Sequence, residues 1–125
     1  GQETPIAMLR CFEDIGLDNL GVNLDTANLI VYGKANPADA VELYGKWVKG
    51  VHAKDGVYPV NGHDLGHQVP LGEGKVDFRS VLTTLKANGY QGTLTIEREI
   101  TGPQQLHDIL QAREYLKGIL KEIDA

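Results

Sequence analysis

Apolar residues recur along this chain at two spacings, one helical and one of period two, and the two take turns. Met8, Leu9, Phe12 and Ile15 fall at helical intervals behind Thr4, a side-chain cap, and Pro5, a first helical residue, and Gly16 supplies the C-terminal stop. NLGVNLD then alternates, with Leu20, Val22 and Leu24 on one face and Asn23 and Asp25 on the other, which predicts a half-buried strand. Asn36 and Pro37 open a second helix whose stripe is Val41, Tyr44 and Val48, beside Trp47. KGVHAKD reads as the second strand, and a glycine-rich connection runs from Gly56 to Gly74. Asp77 caps a third helix with Phe78, Val81, Leu82 and Leu85 at the i, i+3, i+4 and i+7 positions, and Gly89 ends it. GTLTIERE is the third strand. A long amphipathic helix carrying Leu106, Ile109, Leu110, Leu116, Ile119, Leu120 and Ile123 closes the chain.

The resulting order, α, β, α, β, α, β, α, predicts parallel strands joined by right-handed crossovers, with helices covering at least one sheet face. A sheet buried on both faces would have almost continuously apolar strands, and these are not. Their intervening positions read Asn23 and Asp25, then His52 and Lys54, then Thr93, Thr95, Glu97 and Glu99. In a β/α barrel that polar face is the interior, and functional residues gather where strands end. In an open three-stranded sheet the same residues are merely solvated. Chemical identity separates the two alternatives. Asp25, His52 and Glu97, one near each strand end, make an oxygen and nitrogen set suited to a divalent cation such as Mn²⁺, Mg²⁺, Co²⁺ or Zn²⁺. A single strand histidine is ordinarily structural, so the case for His52 rests on its two acidic neighbours.

Composition narrows the field. The 125 residues, 42% of them hydrophobic, suffice for one core and predict a single domain. Lys and Arg number 12 against 17 Asp and Glu, a formal charge of -5 without a basic stripe, which argues against a nucleic-acid partner. Cys11, the single cysteine, has no internal partner; its place in a helical pattern predicts a buried thiol in a reducing compartment. No apolar run reaches about 18 residues and no leader pattern opens the chain, so a soluble, cytoplasmic protein with no membrane partner is expected. GEG at 72–74 has no lysine or helix entry at the spacing of a phosphate loop and reads as a rim turn.

The segments NLGVNLDTANLI, KGVHAKDG, VPLGEGKVDF and GYQGTLTIERE, in that order over essentially the whole chain, resemble successive signatures of the xylose isomerase-like TIM-barrel superfamily. That superfamily includes sugar phosphate isomerases and epimerases, ketose 3-epimerases and the endonuclease IV group. The resemblance implies an α/β fold in which residues 1–125 form one C-terminal part of a barrel, about three of its eight parallel strands alternating with four helices. It implies a divalent metal cofactor held by Glu, Asp, His and Glu, with Asp25, His52 and Glu97 matching the last three; the first is expected just ahead of Gly1, and Glu3 is the nearest acid within the chain. The implied chemistry is isomerisation or epimerisation of a sugar or sugar phosphate, by proton transfer through a metal-stabilised enediolate. Glu97 is then both a ligand and one of two acid/base glutamates. With the other expected upstream, little turnover is expected of this chain alone. Asn28, Lys54 and His67 are the implied substrate contacts, although Asn28 stands where some epimerases place a histidine. His63 and His107 are expected at the surface or in structural roles. Two alternatives stand beside this reading: an endonuclease IV-like phosphodiesterase, which the acidic charge disfavours, and a non-catalytic partial barrel that works by association. The two open edges of such a sheet predict a homo-oligomer or a partner chain that covers it.

Overall fold

The computed structural model describes residues 2–124. The first helix, α1 (Pro5–Ile15), begins and ends as its cap residues dictate: the Thr4 side chain accepts from the Ala7 N–H, and Gly16, at φ 63°, returns its own N–H to the Phe12 carbonyl. Strand β1 (Val22–Asp25) buries Val22 and Leu24 and turns Asn23 outward. A short helix absent from the sequence reading, α2 (Asn28–Val31), follows directly and buries Leu29 and Ile30. Helix α3 (Pro37–Tyr44) starts at Asn36, whose side chain accepts from Ala38 N–H, and tightens into a 3-10 turn over Gly45–Trp47.

Strand β2 (Val48–Ala53) takes Val48, which the periodicity had placed on the preceding helix. Val48 and Val51 are both buried although three residues apart, a spacing that reverses the face of a regular strand. The β1–β2 register supplies the reason, since Val22 pairs with Val48 but Asn23 with Gly50, so Lys49 is an extra residue in a bulge. The connection after β2 is also more ordered than its glycines suggest. Strands β3 (Asp55–Val57) and β4 (His67–Val69) pair antiparallel as a separate hairpin. Helix α4 (Phe78–Ala87) is capped by Asp77, strand β5 is only Leu94–Ile96, and α5 (Pro103–Asp124) ends the chain.

The parallel sheet has the order β1-β2-β5 and does not close into a barrel among the described residues. The expected three parallel strands are present, while the helices number five rather than four among the described residues. Its apolar face packs on Val41, Phe78, Val81 and Leu85 of α3 and α4, and Phe12 stacks on Trp47 at 5.9 Å to seat α1. Cys11 corrects the sequence reading: it lies on the outer side of α1 and is exposed. No helix among the described residues is long and apolar enough to cross a membrane.

Candidate metal centre

The polar face converges at the carboxyl ends of the three parallel strands. Asp25 is the last residue of β1 and pairs in register with His52 of β2, while Glu97 follows the last residue of β5. Their side chains each offer one ligand atom, and these atoms lie within 4.8 Å of one another. His52 Nδ1 is 3.3 Å from Glu97 Oε2 and 3.9 Å from Asp25 Oδ2. Asp25 is aimed by the start of α2: its Oδ1 accepts from the N–H groups of Ala27 and Asn28, each at 3.0 Å, which leaves Oδ2 toward His52. Thr26, fully buried, extends the β1–β2 ladder, its hydroxyl accepting from Lys54 N–H and donating to Lys54 C=O.

Lys54 lies inside this group of acids. Its side chain is 4% exposed, and its Nζ stands 3.3 Å from Asp25 Oδ2, 3.3 Å from Glu97 Oε2 and 2.7 Å from Glu99 Oε1. Burial by itself lowers the lysine's pKa; the hydrogen bond to Glu99 and the charges and hydrogen bonds of Asp25 and Glu97 outweigh it, and the ammonium is held above its usual value. Three carboxylates facing one ammonium leave a formal surplus of two negative charges. That surplus, the 3.3 and 3.9 Å ligand separations and the mixed oxygen and nitrogen donors fit a hard or borderline divalent cation. Asp25, His52 and Glu97 would hold it.

Of the remaining expected contacts, Asn28 is half-buried and lines, with Asp25, Tyr32 and Glu3, a cavity of about 520 Å³ along β1. Glu3 borders that cavity but does not join the three-residue ligand cluster. His67 opens β4, exposed, and His63 lies in the hairpin loop with its backbone N–H donating to Asn61. His107 is exposed on α5. Arg98 turns away from the cluster to Asp108, at 2.7 Å.

The sequence places Asp55, next in chain to Lys54, on the rim, either beside a bound sugar or phosphate oxygen or solvated beside a turn; the structure corrects both, because Asp55 is fully buried. Its fully buried carboxylate accepts four backbone N–H groups, from Gly56 and Val76 on Oδ1 and from Gly72 and Gly74 on Oδ2. This ties the 72–76 turn to β3, and a Cβ at Gly74 would collide with Asp55 Oδ1. An acid followed by a glycine, facing a downstream GEG, was the available signal.

A partial parallel α/β barrel with acid and imidazole groups at the strand ends thus defines the class of this molecule. The family described as xylose isomerase-like TIM barrel matches residues 1–119. The chain belongs to the xylose isomerase-like TIM barrel family. It is 34% identical, over 97% of its length, to an uncharacterised protein of Methanocaldococcus jannaschii, of which it covers 38%. It is 33% identical over 78% of its length to SgbU of Escherichia coli (strain K12), which carries the provisional name L-ribulose-5-phosphate 3-epimerase, and covers 35% of that protein. Among solved structures, a xylose isomerase domain protein from Planctomyces limnophilus superposes with a TM-score of 0.91 at 43% identity, over 99% of this chain and 46% of that one. A D-tagatose 3-epimerase-like protein gives 0.71 at 31% identity, over 97% and 42%. A xylose isomerase-like TIM barrel protein from Mycobacterium smegmatis, solved in complex with magnesium, shares the fold with a TM-score of 0.76 at 22% identity, over 98% and 41%. The chain therefore spans between a third and a half of the length of these relatives.

Proposed function

We propose that this chain is the C-terminal part of a divalent-metal-dependent isomerase or epimerase acting on a sugar or sugar phosphate. The observation that carries the proposal is the convergence of Asp25, His52 and Glu97, from three neighbouring parallel strands, on one point at the strand ends. The epimerase names borne by two relatives at 31 and 33% identity, and the magnesium in a third protein of the same fold, support it.

A bound divalent cation supplies Lewis acidity toward the adjacent carbonyl and hydroxyl oxygens of the sugar. Asp25 is a fixed ligand, because two backbone N–H groups hold its other oxygen. His52 contributes a nitrogen donor from a strand bonded on both sides. Glu97, whose side chain is 38% exposed and so open to substrate, is the acid/base group: it removes or returns the proton on the carbon beside the carbonyl. A second acid/base group on the opposite side of that carbon is expected from outside this chain. Asn28 is placed to hydrogen-bond a sugar hydroxyl from the cavity beside Asp25. His67, on the exposed hairpin, is assigned to the outer end of the substrate, whereas Lys54 acts at the ligand cluster, through the carboxylates that surround it.

Two measurements test this. Mn²⁺ at about 100 times its Kd should stabilise the protein by about 2.7 kcal/mol, and Asp25→Asn or His52→Ala should lose most of that gain; equal stabilisation of these variants would remove the metal site. Deuterium uptake from D₂O into ketose and ketose phosphate substrates, followed by NMR with Mn²⁺ present, should occur in the longer protein and be lost in Glu97→Gln. Uptake that survives Glu97→Gln would remove Glu97 from the chemistry.

A further inference from the structure

The β2–β5 ladder ends before Glu97 and Glu99. Ala53 pairs with Ile96 at the end of β2 and β5, and the next bond, from Glu97 N–H to Ala53 C=O at 3.3 Å, is the last that β2 provides. Were β2 to continue, Asp55 would follow in the ladder, its N–H donating to Glu97 C=O and its C=O accepting from Glu99 N–H. Asp55 instead leaves the sheet to pair with Val69 in the hairpin. Both vacated positions are filled by one side chain. Gln68 Nε2 donates to Glu97 C=O at 2.9 Å, and Gln68 Oε1 accepts from Glu99 N–H at 3.0 Å. The carboxamide, through its nitrogen as donor and its oxygen as acceptor, thus does the work of the missing peptide group.

We infer that Gln68 is a positioning residue for the site, a surrogate for a continued β2 that fixes the Glu97–Glu99 segment at the barrel rim. Two functional carboxylates hang on that segment. Glu97 is the acid/base ligand, and Glu99 draws the Lys54 ammonium to 2.7 Å. Both lie beyond the last residue of β5, and the sheet reaches this segment through the single bond from Glu97 N–H to Ala53 C=O. Gln68 reaches them from β4, about thirty residues away in sequence, which couples the hairpin to the chemistry. The metal part of this inference rests on the proposed function; the clamp itself does not.

The test uses Gln68→Met, which keeps the length and apolar stem of the side chain and removes both hydrogen bonds. Amide hydrogen exchange by NMR, without metal, should show the Glu99 N–H exchanging about five- to tenfold faster in the variant, with the β1–β2 amides and the global melting temperature unchanged. Mn²⁺ affinity, measured by calorimetry, should fall by a similar factor. Unchanged exchange at Glu99 would overturn the inference, and so would faster exchange with Mn²⁺ affinity equal to that of the wild type, which would make Gln68 merely structural. A wild-type protein that takes up no Mn²⁺ fails the metal reading, and Glu99 exchange alone then decides whether Gln68 clamps the rim.

Discussion

At the scale of single residues, the pair Lys54 and Asp55 shows how adjacent charged groups are made compatible with burial. Lys54 is 3% exposed and Asp55 fully buried, yet neither is left without partners: one has three carboxylates, the other four backbone N–H groups. Replacing Asp55 by Ala strands those donors in a closed turn. The expected cost is about 3 kcal/mol in urea unfolding, and a loss below about 1 kcal/mol would show that the turn is held otherwise. Lys54→Met has a two-sided outcome. Without the ammonium, Asp25, Glu97 and Glu99 repel one another, so the metal-free protein should lose about 3 kcal/mol; the competitor for the ligands is also gone, so Mn²⁺ should bind about tenfold more tightly. Weaker Mn²⁺ binding would mean that Lys54 organises the ligands rather than competing for them. Alternation along the strands made Asp25, His52 and Glu97 legible, because strand parity fixes the face and a strand end fixes the depth. The burial of Lys54 was not legible. It depends on Glu99, which lies 45 residues away, and no local pattern reports such a contact.

At the scale of elements, helices were easier to read than strands, because caps are local: Thr4, Asn36 and Asp77 each accept the N–H bonds their residue types favour. The β3–β4 hairpin has only three residues in each strand and nine between them, too short for periodicity to register. Val48 fits the helical stripe of Val41 and Tyr44, yet it opens β2, where the bulge at Lys49 removes the parity with Val51 that would mark it as a strand residue. Helix α5 adds an electrostatic element to its apolar docking. Asp108, 5% exposed, receives the Arg98 guanidinium at 2.7 Å and the Gln104 carboxamide at 2.7 Å, which joins the start of α5 to the residue after Glu97. The hydrogen bond from Arg98, and then that from Gln104, hold the Asp108 carboxyl below the usual carboxylate range. A folded-state value below the unfolded one means that the contribution is complete above about pH 4, the ordinary aspartate value, and fades as pH falls through the lowered value. Urea midpoints of wild type and Asp108→Asn should therefore differ at pH 7 and converge as pH falls below about 4. A gap that stays constant across that range would assign the difference to packing.

At the scale of the whole molecule, a three-stranded parallel sheet has two flanks, and here β1 and β5 each have a partner on one side only among the described residues. The flank of β1 is bordered by the cavity of about 520 Å³, lined by Met8, Leu29 and Tyr44 as well as by Asp25 and Asn28. Polar chemistry sits at the strand ends and apolar surface lies along the edge, so whatever pairs with β1 also borders the candidate site. On the side of β5, Leu82, Leu120 and Ile123 line a second groove, and Leu120 is 37% exposed. Unpaired edges next to apolar grooves favour strand addition from another chain. We propose that this chain, taken alone, associates through these flanks. Sedimentation or light scattering at tens of micromolar should give a mass above the 13.6 kDa of one chain, falling toward it on dilution. Adding a polypeptide that supplies the remaining barrel strands should replace self-association by a one-to-one complex and strengthen Mn²⁺ binding, since the pocket side of Asp25 is then closed. A chain that stays monomeric at every concentration and ignores that polypeptide would show that the open sheet is a finished surface, with the Asp25, His52 and Glu97 cluster facing solvent by design.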